Sequence, residues 1–136
     1  MATAVELVQS LYDAFGKGDV PTVLGAMDEK IEWHEAEHWA YWPGGPYIGP
    51  QAVLENVFAP LVRDFDGFHV DIGRLVGCGD TVLAELRYRG TVKRTGKALD
   101  LQVAHVWDLK NGKVVRWQQY VDTWQASQVM GVIPKA

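Results

Sequence analysis

Between Phe68 and Val121 apolar and polar side chains alternate along the chain, and the breaks fall at residues suited to turns. Gly77-Cys78-Gly79-Asp80, Arg94-Thr95-Gly96 and Asn111-Gly112 divide the stretch into segments 68–76, 81–93, 99–109 and 113–121. A period of two sends successive side chains to opposite faces of a strand. Asn-Gly is a strong hairpin signal because both residues tolerate the positive φ that a tight turn requires. Strands joined by such short turns run antiparallel, since a parallel connection needs a crossover of a dozen or more residues. This half of the chain is therefore a meander of four long strands.

The first half reads differently. Val5, Leu7, Val8, Leu11, Tyr12 and Phe15 recur at three- and four-residue steps and form one helical stripe. Thr3 and Glu6 have capping-box spacing, and Gly16 and Gly18 stop the helix. Asp19 then caps a short second helix with Pro21 in its first turn and Val23, Leu24 and Met27 facing inward. Residues 30–35 alternate as a strand, with Ile31, Trp33 and Glu35 on one face and Glu32 and His34 on the other. Residues 37–50 hold Trp39, Tyr41, Trp42, Tyr47 and several turn residues; their prolines exclude a central strand, so this is a long ordered loop. Residues 51–62 return to helical spacing through Val53, Leu54, Val57, Phe58 and Leu61, with Pro60 set to kink the end. Asp122 and Gln125 are spaced to cap a last short helix reaching Val129. The order of elements gives an α+β fold with helices on one face of a curved sheet.

At 136 residues the chain has the length of one domain, 1–136, and its 48% hydrophobic and 22% charged residues are those of an ordinary globular protein. Thirteen basic against seventeen acidic residues leave a net charge of −4, which argues against a nucleic-acid partner. Lys93, Arg94 and Lys97 bracket Gly96 and read as a solvated hairpin tip. The single cysteine, Cys78, rules out an internal disulfide and a thiolate-rich metal site. The N-terminal residues lack the basic and apolar regions of a secretory leader, and no apolar run approaches about 20 residues. The expectation is a cytoplasmic protein with no membrane partner.

Leu11-Tyr-Asp-Ala-Phe-Gly-Lys-Gly-Asp19, Ile31-Glu-Trp-His-Glu35, Gly45-Pro-Tyr-Ile-Gly49, His105-Val-Trp-Asp-Leu-Lys-Asn-Gly-Lys113 and Trp117-Gln-Gln-Tyr-Val-Asp122 carry a resemblance over nearly the whole chain. The chain resembles the nuclear transport factor 2-like superfamily, and within it the SnoaL-like polyketide cyclase and ketosteroid isomerase branch. The resemblance implies a cystatin-like cone, with three main helices on a strongly curved, mostly antiparallel sheet that encloses one largely apolar pocket. It does not fix the chemistry, because the fold hosts isomerases, cyclases, hydrolases, dehydratases and binding domains.

Strand parity points Ile31, Trp33, Glu35, Ala84, Leu86, Tyr88, Leu101, Val103, His105, Gln119 and Val121 into the cone. Glu35 falls where the isomerase-like relatives carry a carboxylate base, and an apolar pocket raises a carboxyl pKa. His105 falls at the position of their second oxyanion donor. Gln119 replaces the aspartate of cyclases, and Leu86 and Tyr88 replace the Arg-x-Asp pair of epoxide hydrolases sharing the fold, so epoxide hydrolysis is excluded. Leu11 replaces the isomerase's helical tyrosine, with Tyr12 one step around the helix. The expected substrate contacts are Trp33, Tyr88, Gln119, Leu86, Val103, Val121 and Trp42, the last from an aromatic loop read as a lid, a dimer contact or loop packing. His34, Glu37 and His38 do not complete a metal site, and no cofactor is expected.

Two functions remain open. One is an isomerase- or lyase-like enzyme moving a proton on a small hydrophobic carbonyl compound, with Glu35 as base and His105, helped by Tyr88 or Gln119, at the oxyanion. The other is a non-catalytic hydrophobic-ligand or scaffold domain. Leu83, Val106 and Tyr120, interspersed with Glu85, Arg87, Arg116 and Gln118 on the outer face, suit a homodimer through the sheet.

Overall fold

In the computed structural model, which describes residues 2–131, Thr3 opens the first helix as the capping-box spacing predicts. Its hydroxyl accepts from the Glu6 amide at 3.1 Å, and the Glu6 carboxylate accepts from the Thr3 N–H at 3.1 Å. Helix α1 spans Ala4–Gly16 and buries Val8, Leu11 and Ala14. Thr3→Ala removes one side of this reciprocal cap and is expected to cost about 1 kcal/mol. Thermal melting should show a drop of about 3–5 °C that Thr3→Ser restores.

Helix α2, Val20–Gly25, is capped by Asp19. Strand β1, Met27–His34, begins three residues before the expected start, so Met27 belongs to the strand and not to the helix. The long loop contains one short strand, β2, Tyr47–Ile48, paired antiparallel to β1 at the sheet edge, where its neighbouring prolines interrupt no ladder. The loop is pinned by its own side chains: the Tyr47 hydroxyl donates to the Tyr41 carbonyl at 2.7 Å, and the Tyr41 hydroxyl to Asp64 at 2.8 Å.

The helical stretch after Gly49 is composite. Helix α3, Pro50–Val53, passes through a π turn, Leu54–Phe58, into α4, Ala59–Asp64. Pro60 has no N–H to donate back to the preceding turn, and the wider π turn lies directly before it, where that donor is missing.

Strand β3 spans Phe65–Cys78, β4 Thr81–Val92, β5 Ala98–Lys110 and β6 Lys113–Val121; α5, Thr123–Met130, follows the Asp122 cap. The six strands form one sheet in the order β2-β1-β6-β5-β4-β3. All neighbours are antiparallel except β1 and β6. Register shifts between Asp66 and His69 and between Ile72 and Arg74 bend β3 around the helices. Gly90 faces the first of these bends: a Cβ there would lie 3.0 Å from the Phe68 Cα and 3.2 Å from the Asp66 carbonyl oxygen. The β4–β5 tip, expected to be merely solvated, docks on α5, with the Thr95 hydroxyl donating to the Val129 carbonyl at 2.6 Å and Arg94 donating to the Met130 carbonyl.

Candidate functional site

Curvature and strand parity together decide what the cone encloses. Ala84, Leu86 and Tyr88 of β4, Leu101, Val103 and His105 of β5, and Gln119 of β6 are all buried, as alternation requires. Trp107 and Trp117 continue the same two faces and are buried as well. Tyr88, His105, Trp107, Trp117 and Gln119, with Tyr12 and Phe15 of α1, Val57, Phe58 and Leu61 of the composite helix, and Trp39 of the loop, wall a cavity of about 50 Å³. That volume holds only a few water-sized groups, so any larger molecule would have to spread the wall on entry.

Glu35 lies one residue past β1 yet is only 4% exposed. The Trp33 indole donates to its Oε2 at 3.1 Å, while Oε1 is buried with no partner. Burial pushes its carboxyl up to about 8, with the Trp33 and Trp39 indoles opposing. At neutral pH the group is mostly the acid; above pH 8 it is a desolvated carboxylate.

Across the cavity the polar side chains are joined in series. Trp107 Nε1 donates to the Tyr12 hydroxyl at 2.8 Å, and that hydroxyl lies 2.6 Å from His105 Nδ1. His105 Nε2 lies 2.6 Å from the Tyr88 hydroxyl, which also accepts from Gln119 Nε2 at 2.6 Å. Gln119 Oε1 accepts from the Ala36 amide at 3.0 Å, which fixes the orientation of the carboxamide. Burial pushes the His105 imidazole down to about 3 and both phenols above their ordinary value, so all three rings are neutral at pH 7. The indole N–H of Trp117, a further cavity residue, is buried with no partner.

The structure thus brings Glu35, His105, Trp33, Tyr88 and Gln119 to one cavity. His105 does not offer a free nitrogen, because a tyrosine occupies each one. Leu86, Val103 and Val121, which form one cross-strand row, do not reach the cavity wall; they border an open groove with Asp71, Arg87 and Tyr120. Trp42 is likewise outside the cavity, 37% exposed, with its ring 4.8 Å from that of His38. It borders a small outer cleft that Glu35 reaches from its other side. His34 pairs with Glu32 at 3.2 Å.

Among the cavity residues that carry a polar N–H or O–H, Tyr12, Trp107 and Trp117 are not singled out by strand parity or motif as site residues, and Trp39 enters only through its aromatic loop. Trp107 and Trp117 carry a readable signal, since each stands two residues from a polar inward position, His105 and Gln119. Tyr12 shares the apolar stripe of α1 and differs from it only by its hydroxyl.

The described residues contain no helix long and apolar enough to cross a membrane. A search of curated protein sequences returns no match. Among solved structures, an NTF2-like protein from Burkholderia thailandensis is 34% identical, with a TM-score of 0.91 over 96% of this chain and 98% of that one. TerC co-crystallised with polyporic acid is 23% identical, with a TM-score of 0.84 over 96% and 99% of the two chains. A putative SnoaL-like polyketide cyclase from Jannaschia sp. CCS1 is 18% identical, with a TM-score of 0.82 over 96% and 93%. The last two likenesses speak for the fold, the α+β cone. The SnoaL-like domain model matches residues 8–117, and with the cone and its cavity in place, the chain belongs to the SnoaL-like domain family.

Proposed function

We propose that the protein binds a small hydrophobic carbonyl compound in the cone and moves a proton on it, with Glu35 as the base. The observation that carries this reading is the unpartnered, buried Oε1 of Glu35 in the same cavity as the hydrogen-bonded Tyr12–His105–Tyr88 series. A desolvated carboxylate is a strong proton acceptor, and neutral donors in an apolar site stabilise the oxygen on which charge develops. Trp33, Phe58 and Trp117 supply apolar contact for the rest of the molecule.

The base must be ionised to act. Catalysed exchange of the α-hydrogens of cyclopentanone in D₂O, followed by NMR, should therefore rise with pH and level off above about 8. Glu35→Gln is expected to lower that exchange about 10²–10⁴-fold. Binding of the ketone with no exchange at any pH would favour the non-catalytic reading, which Gln119 supports because a carboxamide is no base.

The same reading includes a second copy of the chain on the outer sheet face. Leu83 and Tyr120, 49% and 58% exposed, support it, and light scattering at micromolar concentration tests it by the mass in solution.

A further inference from the structure

The hydrogen bonds around His105 can be counted proton by proton. The Tyr12 oxygen accepts from an indole N–H, which can only donate. The Tyr88 oxygen accepts from Gln119 Nε2, whose role is fixed because Oε1 is held by the Ala36 N–H. Between the two phenols stands a neutral imidazole, with one N–H and one bare nitrogen. The bare nitrogen takes one phenolic proton, and the N–H donates to the other phenol's oxygen. Two phenols therefore bring two O–H groups to a ring that uses one of them. Among the described residues neither hydroxyl has a third partner, and both tyrosines line the cavity.

We infer that the leftover O–H is the hydrogen-bond donor to the oxygen of a bound ligand, and that the tautomer of His105 decides whether Tyr12 or Tyr88 presents it. With the proton on Nε2, Tyr12 donates to Nδ1 and the free O–H belongs to Tyr88. With the proton on Nδ1, Tyr88 donates to Nε2 and the free O–H belongs to Tyr12. His105 is a positioning residue in this scheme: both its nitrogens are taken by the tyrosines, so it gives the ligand no hydrogen bond. The Trp117 N–H, buried and unpartnered, supplies a second donor in the same cavity. The ligand class follows from this: a small, mainly apolar molecule whose polar end is rich in acceptors, a ketone or a conjugated dicarbonyl in preference to an alcohol or amine. The ligand assignment rests on the pocket reading above, whereas the proton count does not.

The test separates the two. In Tyr12→Phe the ring loses its Nδ1 partner, and an unpaired lone pair is better tolerated than an unpaired N–H, so ¹⁵N NMR should find the Nε2–H tautomer. In Tyr88→Phe it should find Nδ1–H. One tautomer common to both variants overturns the rule that the tautomer decides which tyrosine presents the free O–H. A doubly protonated His105 ring in the wild-type protein at pH 7 overturns the proton count itself, and that measurement needs no substitution. The ligand arm uses cyclopentanone and methylenecyclopentane, of the same shape without the acceptor, followed by the tryptophan indole N–H shifts. The ketone should bind better to the wild-type protein. Each single variant should narrow that preference by no more than about threefold, and the double variant by about tenfold, the effect of one neutral hydrogen bond. Equal binding of the two compounds to the wild type overturns the donor assignment even where the tautomers follow. Failure of both compounds to bind overturns the pocket reading instead.

Discussion

Glu35→Gln is expected to make the protein more stable at high pH and to leave it nearly unchanged near pH 4. The folded-state pKa of Glu35 is about 8 against an ordinary 4.5, raised by burial. Between those values the folded protein holds a proton that the unfolded chain releases, so stability falls as pH rises through this window and levels off above it. The full penalty is about 5 kcal/mol at 1.36 kcal/mol per pKa unit. Gln keeps the shape and an acceptor for the Trp33 N–H, and it carries no ionisation to penalise. Urea denaturation at pH 4, 6 and 9 should give a wild-type stability that declines across the series and a variant whose decline is smaller by that amount. Parallel curves for the two proteins would show that Glu35 ionises without cost and is not desolvated.

Trp33→Ala should be among the most damaging single changes in the molecule. Trp33 is 3% exposed, stacks on Trp117 with ring centroids 3.7 Å apart, and donates to Glu35. Removing a buried aromatic of this size costs about 3–5 kcal/mol, a large part of the roughly 5–15 kcal/mol that holds a domain together. Trp33→Phe helps to separate the contributions, since it keeps an aromatic ring in the stack while removing the N–H and part of the indole's volume. That N–H opposes the upward shift at Glu35, so the carboxyl of the Phe variant should titrate above the wild-type value of about 8, read from its ¹³C resonance. A carboxyl that titrates at the same pH in both proteins would show that the indole does not stabilise the charged form.

Alternation told which residues of β4, β5 and β6 enter the cone, and it did so because a buried face on a pleated strand admits no slippage. It could not tell which inward residues meet a cavity and which pack away from it. Leu86 and Tyr88 share parity and burial, yet only Tyr88 reaches the cavity, because the bends in β3 decide where the sheet closes. Glu35 was legible from its parity with Ile31 and Trp33 even though the strand stops before it. The roles of His105 and Tyr12 were harder to read. Both depend on contacts more than 90 residues apart in sequence, and no local pattern tells a tyrosine that fills the core from one that bonds an imidazole. The π turn before Pro60 shows the same limit, since the missing donor predicts a disturbance but not its form.

The parallel pairing of β1 with β6 also has a consequence for synthesis. Trp33 finds its neighbour Trp117 only across this pairing, the one place where early and late parts of the chain meet side by side in the sheet. A ribosome adding about 5–20 residues per second leaves Trp33 without that neighbour for roughly 4–17 s. Throughout that interval the inner edge of β1 is an unpaired strand whose indole, though already within reach of Phe58, lacks its stacking partner, a template for another chain to join. Crowding of nascent chains on one messenger should therefore favour aggregation through β1, and a holding chaperone that binds around Ile31 and Trp33 would protect the cone before its last wall is made.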